Sequence, residues 1–300
     1  MNIQHRSWYG ASWKVAGFAC YAGLNAIARY LTGGANTQLQ DHLPVPVIVF
    51  WQDFIALLFL LPWMLPQAKA SFFPQHLGLH LFRVIASAVA IMAWYFTIQY
   101  MPLAQAVALS VIGPLLGVLG AKWFLKERFG WLRTIIILLS LCGACFIVKP
   151  GSALLSNQSN TLGLLSLCVA TSAFAVAKLA TRQLANLGES AKTLTHYLFL
   201  FIVPVSLIPA SLNWVTPALV HWPWLVFAGL LTALAIYCVS NALVHAEVSF
   251  LAPFDICQFM LNATIGYLAF MELPAPWAIW LILAMLGFSL TTLRKSQYPN

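Results

Sequence analysis

Ten runs of about 20 apolar residues, separated by short polar breaks, restrict this chain to one kind of fold. The hydrocarbon core of a bilayer is about 30 Å thick, and about 20 helical residues cross it. Dividing the sequence at its Pro, Gly, Asn and charge clusters places the spans near 12–32, 45–65, 79–100, 103–125, 131–148, 161–183, 191–211, 223–244, 248–271 and 276–293. Only GGANTQLQDHLP (33–44) and KPGSALLSNQSN (149–160) are long enough to be distinct loops, and neither could form a soluble domain. The first span is flanked by Arg6 and Lys14 and followed by no small-x-small cleavage site, so it reads as a retained helix rather than a secretory signal.

Charge fixes the expected orientation. The chain is 61% hydrophobic and only 7% charged, whereas a soluble protein carries about a quarter charged residues. Its net charge of +8 could point to nucleic acid, so the distribution has to decide. With the amino terminus inside, 13 of the 15 Lys and Arg, among them Lys14, Arg83, Lys178 and Arg182, fall on cytoplasmic ends and loops. Only Arg29 and Lys149 fall outside. This is the positive-inside pattern of a multi-pass protein of the bacterial inner membrane with both termini cytoplasmic, and it needs no nucleic-acid partner. Trp13, Trp63, Trp131, Trp214, Trp222, Trp224 and Trp277 fall near span ends, where an indole is half wet and half buried. All six cysteines lie within apolar segments, so they read as packing residues rather than a disulfide framework.

The two halves repeat. LAQAVALSVIGPLLGVLGAKWFLKERFGW (103–131) and VSFLAPFDICQFMLNATIGYLAFMELPAPW (248–277) each run from a long apolar helix through an acidic residue and a break to Trp. An offset of 145 residues aligns Glu127 with Glu272 and Ser110 with Asp255. Five spans per half is an odd number, so a duplicated half inserts the opposite way up. The expectation is an all-α integral membrane protein whose ten transmembrane helices form two inverted five-helix repeats, residues 1–149 and 150–300, with a site between the repeats near the bilayer midplane.

Polar residues at membrane depth mark where that site would be. Asp255 stands in the ninth span with no basic neighbour in sequence, and Gln258 and Asn262 follow at i+3 and i+7 on the same face. The alternative is that this stripe, Asp255 included, is only interhelical glue. Tyr21 and Asn25 continue toward Arg29 along one side of the first span, where Arg29 either joins the stripe or snorkels to headgroups. Tyr237 and Asn241 pair at i, i+4 on the eighth span, with His245 at its end read as a hydrated cap. Trp94 and Tyr95 either wall a flat ligand or face lipid. Ser110 sits beside Gly113, Pro114, Gly117 and Gly120 in a fourth span suited to close approach or bending. Lys178 and Arg182 read as positive-inside anchors, and Asp53 as a carboxylate that Arg83 or another base could pair. No P-loop, zincin or hydrolase signature and no metal-ligand spacing is present, so neither an enzyme nor a metal or cofactor is expected.

The stretch HLFRVIASAVAIMAWYFTIQYMPLAQAVALSVIGPLLGVLGAKWFLKERFGWLR (80–133) with GACFIVKPG (143–151) resembles the first repeat of the drug/metabolite transporter superfamily, EamA type. LAPFDICQFMLNATIGYLAFMELP resembles the second, and the layout is also similar to the S-adenosylmethionine uptake group. The resemblance implies a ten-helix carrier without ATP-binding domains, its cavity lined mainly by spans 1, 3, 4, 6, 8 and 9. Two arginines common in relatives are replaced here, by Gln52 and Asp53 in FWQDF and by Asp255 in APFD, so the substrate charge is expected to differ. The implied function is secondary transport of a small polar or amphipathic organic metabolite, such as an amino acid or related compound, by alternating access. Proton coupling or exchange would drive it, in a monomer or homodimer. The alternatives are uptake of S-adenosylmethionine or an organic cation, and, in other classes, a non-transporting scaffold or an intramembrane lipid enzyme.

Overall fold

A computed structural model describes residues 3–33, 42–64, 76–101, 103–110, 112–124, 158–251 and 254–271. The expected spans 131–148 and 276–293, and the aligned Glu127 and Glu272, lie outside the described residues. What is described is helical, with no strand among the described residues: α1 (Ile3–Leu31), α2 (Val45–Met64), α3 (Leu77–Tyr100), α4 (Leu103–Leu109), α5 (Ile112–Phe124), α6 (Gln158–Asn186), α7 (Ala191–Leu212), a 3-10 turn at Leu219–His221, α8 (Trp222–His245), α9 (Val248–Leu251) and α10 (Asp255–Phe270). Among the described residues, five segments are long and apolar enough to cross a membrane, at Val45–Pro62, Leu77–Tyr100, Thr161–Asn186, Ala191–Leu212 and Leu219–His245. α1 is as long as α6, and each carries bases within it, Lys14 and Arg29 in α1 and Lys178 and Arg182 in α6.

Helix ends follow local chemistry. Ser190 caps α7 by accepting from the Thr193 N–H, and Gly188, at φ +93°, turns the chain out of α6 in the left-handed region that favours glycine. Pro223 sits in the first turn of α8, where a missing N–H costs nothing. Two expected spans are corrected. The run 103–125 divides into α4 and α5 at Ser110, and the run 248–271 divides into α9 and α10, with Asp255 as the first residue of the second piece. Continuous apolarity made each read as one helix, yet each contains a Pro after a small residue and supplies its own turn.

α1 packs on α8, α3 on α6, α2 on both α7 and α8, and α10 against α1 and α4. The main core joins Leu24, Leu31, Ile48, Tyr95, Ile98, Leu103 and Leu225. Close approach is sharpest between α2 and α8: a Cβ on Gly229 would lie 2.5 Å from Ile55 Cγ2 and 3.1 Å from the Ala56 amide. Gly229→Ala is therefore expected to cost about 1–3 kcal/mol by overpacking. Gly78→Ala, which meets nothing within 4 Å in the first turn of α3, should be neutral or mildly stabilising because alanine is the better helix former. Thermal midpoints of the two variants in detergent check this pair.

Candidate functional site

Asp255 does have basic neighbours, brought from far along the chain. Lys14 Nζ on α1 stands 2.8 Å from Asp255 Oδ1, and Lys178 Nζ on α6 faces Oδ2 at 3.6 Å. Lys14 also donates to the Leu251 carbonyl at 2.5 Å and lies 5.2 Å from the centre of the Phe18 ring. The helix break explains the arrangement. α9 ends at Leu251, where carbonyls lack intrahelical partners, and α10 begins at Asp255, where unpaired N–H groups favour an anion. One ammonium thus satisfies a carbonyl end and the adjacent carboxylate together. Lys14 is about 16 Å along α1 from its start at 1.5 Å per residue, so it is not a loop anchor. Its side chain and that of Asp255 are 4% and 9% exposed. Lys178, likewise expected as an anchor, points inward at this carboxylate, and its stem lies against Gly117 of α5.

A second network sits further along the same face of α10. Trp94 Nε1–H of α3 donates to Asn25 Oδ1 of α1 at 2.8 Å, and Asn25 Nδ2 donates to Asn262 Oδ1 of α10 at 2.8 Å. Asn262 Nδ2 donates in turn to the Gln258 carbonyl at 2.7 Å. Of the expected stripe, Asn262 and Asn25 therefore meet directly, while Gln258 enters through its backbone. Trp94 faces this network instead of lipid. Tyr95 is also fully buried, its hydroxyl donating to Gln52 Oε1 of α2 at 2.6 Å. Tyr21 is half-buried against the main core.

Three arginines hold backbone carbonyls of neighbouring helices. Arg29 does not snorkel: Nη1 donates to the Ile98 and Met101 carbonyls at 2.7 and 2.5 Å, and the guanidinium lies 5.7 Å from the Phe270 ring centre. Arg182 donates to the Leu243 carbonyl near the end of α8 at 2.6 Å. Arg83 does not ion-pair with Asp53. It donates to the Leu194 carbonyl at 2.8 Å, and Asp53 makes no ion pair among the described residues.

Three expected site residues stand apart. Ser110 turns its hydroxyl back to the Val107 carbonyl at 2.7 Å where α4 ends. Asn241 donates to the Tyr237 carbonyl one turn earlier, and the Tyr237 ring lies edge-on to Trp13 at 5.6 Å. The residues that sequence reasoning missed are Lys14 and Lys178. Their signal was depth within a helix, hidden by a charge count that took both for flanks.

Comparison with known proteins gives this geometry a context. The profile of the EamA-like transporter family matches residues 10–149. A riboflavin transporter of Vibrio cholerae is 30% identical, aligned over 96% of this chain and 94% of its own. The pseudopaline exporter CntI of Pseudomonas aeruginosa is 30% identical over 77% of this chain and 80% of its own. An S-adenosylmethionine uptake transporter of Rickettsia bellii is 21% identical over 88% and 86%. A solved crystal structure at 16% identity superposes with a TM-score of 0.65 over 90% of this chain and 96% of that one, a likeness of fold.

Proposed function

The chain belongs to the EamA-like transporter family, and from that premise we propose a secondary carrier that moves a small, uncharged heteroaromatic metabolite of the flavin class by alternating access. Its two moving parts are inverted five-helix repeats, residues 1–149 and 150–300, in the bacterial inner membrane with both termini cytoplasmic.

The observation that carries this reading is the Trp94–Asn25–Asn262 network, which joins the first half to the second at the face of α10. An isoalloxazine presents a flat ring and a dione edge with alternating acceptors and a donor. Two carboxamides and an indole N–H are complementary to that edge once they exchange their mutual bonds for the ligand. Asp255 is already matched by Lys14 and Lys178, so it is not free to pair with a cation such as S-adenosylmethionine. The likeness to a riboflavin transporter over nearly the whole of both chains supplies the substrate class.

Two facts support the inverted repeat. Exchanging α1 with α6, α2 with α7, α3 with α8, α4 with α9 and α5 with α10 turns the pairing α3–α6 into α8–α1, α2–α8 into α7–α3, α1–α10 into α6–α5 and α4–α10 into α9–α5, all of them present. Arg29 donates to Ile98 and Arg182 to Leu243, two acceptors separated by the same 145 residues as Ser110 and Asp255. Discontinuous helices at matching places in two halves are where carriers of this kind bind substrate.

The test is growth of a riboflavin-auxotrophic bacterial strain lacking a flavin carrier, with uptake repeated in proteoliposomes of the purified chain. Growth on limiting riboflavin, and uptake competed by riboflavin but not by S-adenosylmethionine, is the expected result. Vector-level growth combined with S-adenosylmethionine uptake would transfer the site to the cationic substrate.

A further inference from the structure

We infer that Asp53 is the proton-binding carboxylate of this carrier, and that Gln52 and Tyr95 relay its occupancy to the Trp94–Asn25–Asn262 network. The inference rests on the proposed carrier function and adds to it the site of the driving ion. The acidic side chains among the described residues are Asp53, Glu189, Glu247 and Asp255. Glu189 precedes α7 and faces His80 at 3.4 Å, and Glu247 lies between α8 and α9. Asp255 is matched by two ammonium groups. Asp53 alone of the four combines depth in a helix with the lack of a cation: it lies about 12 Å into α2 at 1.5 Å per residue, is 3% exposed, and has no hydrogen-bond partner for Oδ2.

An ionised carboxylate so placed is far costlier than a neutral acid with one unmade hydrogen bond. The closed protein therefore holds Asp53 with a proton on the carboxyl group. Opening to water at one face releases that proton, and opening at the other face allows a new one to bind. The titratable groups that interact with it are Tyr21 on α1 and Tyr95 on α3, and Tyr21 in turn interacts with Cys20 on α1, Arg83 on α3 and Cys238 on α8. α7 and α8, which pack on α2, bring it no ion-pair partner among the described residues. The side chain of the adjacent Gln52 hydrogen-bonds to Asp53, and Gln52 Oε1 accepts from the Tyr95 hydroxyl at 2.6 Å. Tyr95 follows Trp94 on α3, and Trp94 donates to Asn25. Loss of the proton from Asp53 gives the Gln52 amide a charged and stronger acceptor, and the resulting shift of Gln52 is passed through Tyr95 to the neighbouring indole.

Dicyclohexylcarbodiimide provides a direct probe in the intact chain reconstituted in lipid. It reacts with an un-ionised carboxylic acid: the acid's proton passes to a carbodiimide nitrogen and a carboxyl oxygen bonds to the central carbon, with nothing oxidised or lost. Peptide mass spectrometry should find the adduct on Asp53, declining as pH rises, and none on Asp255. An adduct on Asp255 with none on Asp53 would overturn the inference. In proteoliposomes, Asp53→Asn should reduce riboflavin accumulation under a pH gradient to the level reached without one and abolish riboflavin-evoked proton movement read by an internal pH dye. Asp53→Glu should restore the proton movement. Gradient-driven accumulation by Asp53→Asn would also refute it. If the wild-type chain moves no riboflavin, the substrate assignment fails while the labelling still decides the proton site.

Discussion

Lys14→Met is expected to damage the protein far more than Lys178→Met, although both remove an ammonium from the same carboxylate. Lys14 is buried, 2.8 Å from Asp255 Oδ1, and also holds the Leu251 carbonyl. Its loss leaves a buried carboxylate without its short partner and a helix-end carbonyl without a donor. Breaking a buried pair from one side costs about 3–5 kcal/mol. Lys178 is 21% exposed and stands 3.6 Å from Oδ2, so its removal leaves the stronger pair in place and is expected to cost about 0–1 kcal/mol. Asp255→Asn belongs with the severe class, since it sets two ammonium groups against a neutral amide. Thermal midpoints in detergent should rank wild type and Lys178→Met together, well above Lys14→Met and Asp255→Asn.

The double change Lys14→Met with Asp255→Leu separates stability from transport. Replacing both members of a buried pair by apolar groups of similar volume is often neutral, so the double variant should recover much of the lost midpoint. If the carrier works by the proposed alternating access, uptake should be abolished, because the pair joins α1 to α10 and would have to break and re-form in each cycle. Recovery of uptake together with stability would make the pair a structural tie and remove Asp255 from the working site. Equal damage from the two lysine variants would refute the ranking.

Helix limits were legible because length and punctuation set them. The spans expected at 45–65, 79–100, 191–211 and 223–244 are found as Val45–Met64, Leu77–Tyr100, Ala191–Leu212 and Trp222–His245. Rotation was not legible. These helices are apolar over most of their circumference, so no stripe says which side faces lipid. Trp94 and Tyr95, adjacent in sequence and both inside the protein, could not have been oriented without knowing that Asn25 and Gln52 stand opposite them. Lys14 was hidden differently. Orientation rules count bases near helix ends, and only the extension of α1 back to Ile3 reveals that Lys14 is deep. The break before Asp255 was missed because apolarity runs on through it, yet that break creates both the carbonyl and the amide terminus around which the ion cluster forms.

The amide network yields the other large effect. Asn25→Ala leaves the Trp94 N–H and Asn262 Oδ1 buried without partners, each at about 1–3 kcal/mol. Asn262→Ala removes the acceptor of Asn25 but frees no other buried side-chain group in this network, since the Gln258 carbonyl already belongs to the helix ladder of α10. The single variants should therefore be unequal, with Asn25→Ala the worse. Their double-mutant cycle should give a coupling of about 0.5–2 kcal/mol, the range of an interhelical hydrogen bond in a membrane. Glue and substrate site predict the same stabilities, so transport kinetics have to separate them. If the amides bind the flavin edge, each single variant raises KM for riboflavin and Trp94→Phe weakens quenching of bound-flavin fluorescence. A glue role would lower the thermal midpoint and leave KM where it was. On the proposed flavin site the asymmetry is informative, because substrate would replace the Asn25–Asn262 bond in order to bind. Asn262→Ala, which has already lost that bond, should lose less affinity than Asn25→Ala, which also loses the group that orients the Trp94 indole.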